Sequence, residues 1–388
     1  MTKSKGLNLG NTSITVGVIF LVVFGSFMIA SAEMGNSAGD TGYLTNIIIK
    51  QTMFAIVGLA GYFIISKISF KKMRMEIYWM LYTILLLALL ACRFFGATNG
   101  AYAWIPIGSF ASVQPSEFAK AFMVIFAAKL FGKDSPKNNL KNIKTFGICA
   151  AAYFVIILLW QHDLGSAIVL AVMCYCMALI PSYKQYKDIH KYMIIIILVV
   201  LCLVPIIFIP FVNELMSHSS NYMIGRFLAA NDPFKYRYDN GYHVVMSLVS
   251  FANGNWFGLG YTNSIHKYMN FPNPSNDFIL PVIVEELGVI GFGAIILGYA
   301  LILYPIIKFS MKIEKVSSKV VSIGVVTYFL AHFIFNVGGV SGFIPLTGVP
   351  LLIISSGGSS LIACLASVGM AQNEIISDAE ENNESNRG

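Results

Sequence analysis

A lone acid, Asp277, stands between a polar stretch that begins at Gly254 (GNWFGLGYTNSIHKYMNFPNPSN) and an apolar run that begins at Phe278. A carboxylate at such an edge can take a proton from a hydroxyl within hydrogen-bond reach, which makes it a candidate general base. The longer polar segment that this stretch closes, from about residue 212 to Asp277, carries Arg226, Lys235, Arg237 and Lys267. Cations sharing a loop with an acid suit a phosphate-bearing ligand, held by charge while the acid handles a proton. Upstream, QPSEFAK sets Glu117 and Lys120 one turn apart on the same helix face. Two readings of that pair stay open, a structural ion pair or the lining of an outward-facing polar cavity, since charges at membrane depth pair or face water. Asp163, in WQHDLGSA, can cap the helix that follows it. His162 beside it reads as an interface residue rather than a proton carrier. Glu285 and Glu286 follow Asp277 inside the apolar run, about 12 Å deeper at 1.5 Å per residue, and there they need partners or a cavity.

The elements that must position these groups are membrane helices. The 388 residues are 56% hydrophobic and 12% charged, whereas soluble domains carry roughly 25% charged residues. Ten apolar runs recur, at 14–32, 47–66, 77–95, 117–131, 145–160, 164–181, 191–211, 278–307, 320–337 and 348–371. The expected fold is an all-α polytopic membrane protein of about ten spans. Residues 1–13 form a cytoplasmic N-terminus, 14–371 a single membrane domain with a large extracellular loop at about 212–277, and 372–388 a disordered cytoplasmic tail rich in Asn and acids. With both ends inside, 19 of the 26 Lys and Arg fall on inner segments and five on outer ones, as the positive-inside bias requires. The formal charge of +7 is mostly that bias, with contact to anionic membrane lipids as its by-product, so it calls for no nucleic-acid partner. Ala30-Ser31-Ala32 resembles a signal-peptidase site, but the length of the first run and the nine runs after it favour a retained helix. The six cysteines lie in or beside apolar runs without a CxxC spacing, so neither a disulfide framework nor a metal site is expected.

The connecting segments carry their own signals. RFFGATNGAYAWIPIGSFASVQPSEFAK, Arg93 to Lys120, suits a re-entrant or interface-lying segment anchored by Tyr102 and Trp104. Ser116 is placed to cap the helix that begins near Glu117. Apolar spacing from Tyr242 to Phe251 fits a short amphipathic helix. Gly254, Gly258 and Gly260 relax the backbone of the loop, Pro272 and Pro274 stop helix propagation before Asp277, and Gly288 and Gly291 are candidate breaks in the run that follows. Gly and Pro density from Asn336 to Ser360 argues for a broken helix packed closely on its neighbours.

Five blocks in order, NGAYAWIPIG, QPSEFAK, QHDLGSA, the GNWFGLG to EELG stretch, and GFIPLTGVP to GGSS, make the chain resemble the SEDS family (shape, elongation, division and sporulation) from about Ile14 to Met370. The resemblance implies a peptidoglycan glycosyltransferase that polymerises lipid II on the outer face of the bacterial cytoplasmic membrane, releasing undecaprenyl diphosphate by an inverting transfer. GVSGFIPLTGVP and SVGMAQNEI are closer to the family's division branch than to its elongation branch. By motif position Asp277 is the catalytic acid, and Glu117, Lys120, Asp163, Arg226 and Lys267 line or border the substrate cavity. The implied partners are a transpeptidase, a class B penicillin-binding protein, and other division or elongation proteins. A divalent cation, Mg or Mn, is an open possibility on the diphosphate. The alternatives are a lipid II flippase without covalent chemistry, an elongation polymerase, and a scaffold for division partners. Three positions depart from the family pattern, Ala103, Leu351 to Ser360 (LLIISSGGSS) and His243, so no role is carried over onto them.

Overall fold

In a bilayer core every backbone N–H and C=O must find a partner inside the protein, so apolar runs of this length become helices. The computed structural model describes residues 2–385 apart from 38, 69, 71–72, 99, 109–110, 133–138, 182–186, 204–221, 240, 270 and 272. The described helices are α1 (Thr2–Ser37), α2 (Thr41–Ile65), α3 (Met75–Ala91), α4 (Pro115–Phe131), α5 (Asn139–Val155), α6 (Leu164–Ala178), α7 (Lys187–Leu203), α8 (Tyr222–Asn231), α9 (Tyr242–Gly254), α10 (Ile279–Lys312), α11 (Val316–Val340) and α12 (Gly358–Ser385). Among the described residues, seven helical stretches are long and apolar enough to cross a membrane, Thr12–Ser37, Thr41–Ile65, Met75–Phe95, Leu140–Trp160, Ile279–Lys312, Val316–Val340 and Gly358–Glu384, and Leu164–Ala178 is a shorter apolar helix. The chain is an all-α polytopic membrane protein. The run at 117–131 is the 17-residue α4, buried along almost its whole length and packed against α11, α12 and α3. The run at 191–211 is described as far as Leu203, and its remainder, the loop's first ten residues, Pro272 and the last three residues of the tail lie outside the described residues.

Buried aliphatic and aromatic side chains of α1, α4, α6, α10, α11 and α12 make one continuous core. Outward faces of α2, α3 and α7 present bare apolar side chains, among them Ile56, Ile64, Met80, Leu87, Ile196 and Leu198, where lipid tails belong.

Three expectations change on contact with the structure. Ser116 does not cap α4. The helix starts two residues earlier, at Pro115, whose missing N–H suits the first turn, with Gln114 in the cap position, and the Ser116 hydroxyl is buried without a partner among the described residues. The segment before it, expected to be re-entrant or interface-lying, folds in part as a hairpin, in which β1 (Ile105–Ile107) pairs antiparallel with β2 (Ala111–Val113). That hairpin is tied to neighbours by Tyr102 N–H to the Gln161 carbonyl (2.8 Å) and by Ser359, which accepts from the Gln114 N–H (3.0 Å) and donates to the Ser112 carbonyl (3.3 Å). The last run is helical only from Gly358, because Gly348 (φ 70°) and Ile353 (φ 67°) take backbone conformations a helix cannot hold. The tail expected to be disordered from 372 continues α12 to Ser385, because its polar residues meet partners in the bundle. Asn373 donates to the Ser66 carbonyl (2.9 Å), Ser318 to Glu374, and Lys315 pairs with Glu381.

Candidate active site

Asp277 sits in the turn just before α10, and three consecutive backbone carbonyls there are held from elsewhere in the bundle. The Ser275 carbonyl accepts from the Ser356 N–H (2.7 Å), the Asn276 carbonyl from the Ser355 hydroxyl (2.7 Å), and the Asp277 carbonyl from the Asn336 side-chain amide (2.9 Å). Asn336, on α11, also donates to the Val349 carbonyl at 2.9 Å, so one side chain bridges the acid's backbone to the irregular segment before α12. Such a segment survives among apolar helices because each exposed carbonyl is met by protein.

The backbone is pinned while the carboxylate is left open. Asp277 Oδ1 is buried without a hydrogen-bond partner among the described residues. Oδ2 lies beside Gly348, where an added Cβ would stand 3.4 Å from it. Burial pushes the Asp277 carboxyl up to about 6, against the pull of the Arg226 guanidinium and with a smaller push from the Asp163 carboxylate. Three residues expected at the site are therefore together electrostatically, Asp277, Arg226 and Asp163. Arg226, on α8, is oriented by its bond to the Leu346 carbonyl (2.9 Å). Asp163 caps α6 as expected, one oxygen accepting from the Ser166 N–H (3.0 Å) and the other from the Gln114 amide (2.9 Å). The turn that delivers it forms where α5 ends in a π turn, Ile156–Trp160, and His162 adopts φ 58°. His162 itself meets Tyr102 edge to face, with ring centroids 6.0 Å apart.

Sequence reasoning did not assign three residues here. His243, on α9, stacks toward Phe278 (5.6 Å between rings), its Nδ1 is buried without a partner, and burial together with Arg226 lowers its pKa. Asn336 Oδ1 and the Thr347 hydroxyl are likewise buried and unpartnered among the described residues. Unmet buried polar atoms are uncommon in folded proteins, and these lie on the residues that hold or flank Asp277. The signal that pointed toward them was Gly and Pro density between Asn336 and Ser360, which located the break without naming its polar residues.

Three expected members are committed elsewhere. Glu117 and Lys120 form a buried ion pair at 2.7 Å, in which Tyr328 donates to the second Glu117 oxygen (2.6 Å) and Lys120 Nζ lies 3.2 Å from His332 Nε2. Of the two readings of that pair, the geometry favours the structural one. The network still touches the site's frame, because His332 Nδ1 contacts the Pro350 carbonyl (2.9 Å) beside the Val349 carbonyl held by Asn336. Lys267 is fully buried, its ammonium on Glu286 (2.7 Å) and on Ser31 (2.9 Å), so it is no free cation for a ligand. Glu285 is satisfied by His266 Nδ1 (2.6 Å), Asn253 (3.0 Å) and Ser264.

The loop glycines have a specific task. α10 breaks at Gly288 (φ 65°, ψ −160°), and the strand-like stretch after α9 trades hydrogen bonds with the break. Leu259 and Gly260 donate to the carbonyls of Glu285 and Glu286 (2.9 Å each), while Val289 and Ile290 donate to those of Asn255 and Trp256 (3.0 and 3.4 Å). Backbones this close exclude side chains. An added Cβ at Gly258 would lie 2.1 Å from the Glu286 carbonyl oxygen, and one at Gly288 would lie 2.3 Å from that of Trp256.

A protein-held divalent cation does not fit the donor set, since among the described residues no three His, Cys, Asp or Glu side chains converge.

A family model described as cell cycle protein, spanning the FtsW, RodA and SpoVE proteins, matches residues 12–379. A probable peptidoglycan glycosyltransferase FtsW of Bacillus subtilis (strain 168) is 29% identical over 376 residues, covering 95% of this chain and 91% of that protein. Stage V sporulation protein E of the same organism is 29% identical over 338 residues, covering 84% and 85%. Among solved structures, a chain from a peptidoglycan synthase complex that polymerises and crosslinks superposes with a TM-score of 0.68 at 22% identity, covering 93% of this chain and 97% of that one. The rod shape determining protein RodA of Thermus thermophilus gives 0.61 at 20% identity, covering 94% and 96%. At these identities the structural matches speak for the fold.

Proposed function

The chain belongs to the FtsW, RodA and SpoVE family of cell cycle proteins, and on that premise we propose that it is a peptidoglycan glycosyltransferase, polymerising lipid II during division as its FtsW-named relatives suggest. One observation carries the chemistry, a carboxylate whose backbone is fixed at three successive residues and whose Oδ1 has no partner among the described residues, with a guanidinium beside it. In the reaction Asp277 accepts the proton of a sugar hydroxyl as that oxygen attacks the anomeric carbon of a second lipid-linked glycan. The bond from that carbon to the diphosphate oxygen breaks with inversion, and undecaprenyl diphosphate leaves with the electron pair. Arg226 stabilises the charge that builds on the diphosphate. Asp163 acts mainly through position, holding Gln114 and the start of α6 against the site.

The site is assigned to the outer face of the cytoplasmic membrane, with both termini cytoplasmic. Its partner is assigned as a class B penicillin-binding protein, consistent with the synthase complex whose chain shares this fold. The deciding experiment supplies purified lipid II to the full chain with such a partner and measures glycan polymer. Wild-type protein should make polymer, and Asp277→Asn protein of unchanged helicity should make none. Polymer from the Asn variant would sink the assignment, and a flippase would give no polymer in either case.

A further inference from the structure

At the end of the bundle away from Asp277, a cavity of about 410 Å³ opens between α5, α6 and α7. Its position follows from chain direction. Lining residues Ile143, Lys144 and Gly147 come from the start of α5, Ala178 from the end of α6, and Met193 from the start of α7. The opposite end of α5 leads to Asp163 and so to the candidate site. Along α5 the lining reaches from Lys144 to Phe154. Ten residues of helix span about 15 Å, half of a hydrocarbon core of roughly 30 Å, so the cavity is one leaflet deep.

Its walls are apolar, hollow where Gly147, Ala150 and Ala171 replace larger side chains. A transmembrane helix with side chains is about 10–12 Å across and does not fit such a slot, whereas an acyl chain lying along α5 does. Tyr175, on α6, donates to the Met193 carbonyl on α7 (2.6 Å) and closes one side. At the mouth the lining turns cationic with Lys144, and exposed Lys141 and Lys191 stand on the same end of α5 and α7. None of the three is paired to a carboxylate among the described residues, and Asp188 is the acid on the adjoining edge of α7. Basic groups over an apolar slot between membrane helices select an anionic headgroup over a zwitterionic one.

We propose that this cavity binds one anionic diacyl phospholipid of the leaflet opposite Asp277, one acyl chain along α5 and the phosphate at Lys144. The lipid fastens α7 to α5 and α6. The site is independent of the glycosyl-transfer chemistry.

The test is native mass spectrometry of the delipidated full chain, offered dioleoylphosphatidylglycerol or dioleoylphosphatidylcholine in turn. One phosphatidylglycerol should be retained per chain, preferred over phosphatidylcholine. Lys144→Gln, a surface change, should reduce phosphatidylglycerol retention roughly fivefold, about one lysine's contribution near a headgroup, and leave phosphatidylcholine unchanged. Ala150→Phe, which fills the slot, should reduce retention of both, with circular dichroism confirming the fold. Equal retention of the two lipids by wild-type protein would overturn the proposal, as would indifference of phosphatidylglycerol to Lys144→Gln. Preferential retention of undecaprenyl phosphate in a competition with phosphatidylglycerol would overturn it too.

Discussion

With its pKa near 6, Asp277 is mostly ionised at pH 7 and able to accept a proton. Polymerisation should fall about tenfold per pH unit once the pH drops below about 6, as the base is consumed by protons, which a pH series of lipid II turnover would show. Stability should move the other way. The folded protein holds this proton more tightly than the unfolded chain, whose Asp titrates near 3.9. Asp277 therefore costs the fold stability as pH rises from about 4 through about 6, and the cost is fully present above that window. Asp277→Asn removes it, so the inactive variant should be more stable than wild type at pH 7 by on the order of 3 kcal/mol, and by nothing near pH 3. Paired thermal melts at the two pH values separate this from a merely damaged fold. Arg226 pulls the same carboxyl down. Arg226→Gln should thus shift the acid limb of the rate profile upward and lower turnover by about a hundredfold, through lost stabilisation of the leaving diphosphate.

At the scale of elements, the site depends on breaks in helices rather than on their continuity. Gly288→Ala should cost at least 3 kcal/mol, roughly, since φ 65° with ψ −160° is a glycine conformation and the added methyl meets the Trp256 carbonyl. Gly293→Ala, five residues on in open space, should cost nothing by the same thermal melt. The buried Glu117 and Lys120 pair predicts a different pattern. Glu117→Gln or Lys120→Met alone should cost about 3–5 kcal/mol, and the two together less than their sum, because one change strands a buried charge and two do not. These elements also mark what the sequence made legible. Apolar runs, the Asp163 cap, the amphipathic α9 and the break at Gly288 follow from local composition and spacing, which act within a few residues. Lys267 on Glu286, Asn336 on Asp277 and Tyr328 on Glu117 do not, because each joins residues 19, 59 or 211 positions apart. Composition also misjudged the tail, since an average over acids and Asn hides the few, Asn373, Glu374 and Glu381, whose partners wait on other helices.

For the molecule as a whole, these long-range bonds sort the connecting segments onto two ends. The tail of α12 joins the turn after α2 through Asn373 and Ser66, and joins the α10 to α11 turn through Glu381 and Lys315. In those turns or on the helix ends beside them lie Lys67, Lys312, Lys315 and Lys319. Asp163, Gln114, Arg226 and Asp277 gather at the other end, together with the segment holding Lys235 and Arg237. A bundle whose lysine-rich end carries its C-terminus should insert with that end in the cytoplasm, leaving the acid outside, where a lipid-linked glycan is polymerised. Cysteine labelling in intact cells tests this with little background. Cys92, Cys149, Cys174 and Cys364 are buried, and Cys176 and Cys202 can be replaced by Ser. Arg237→Cys, on an exposed turn, should react with an impermeant maleimide in intact cells, whereas Lys312→Cys, equally exposed, should react only after permeabilisation. The reverse pattern would put Asp277 in the cytoplasm. The base would then lie on the face opposite the one to which polymerisation is assigned, and that assignment would fall.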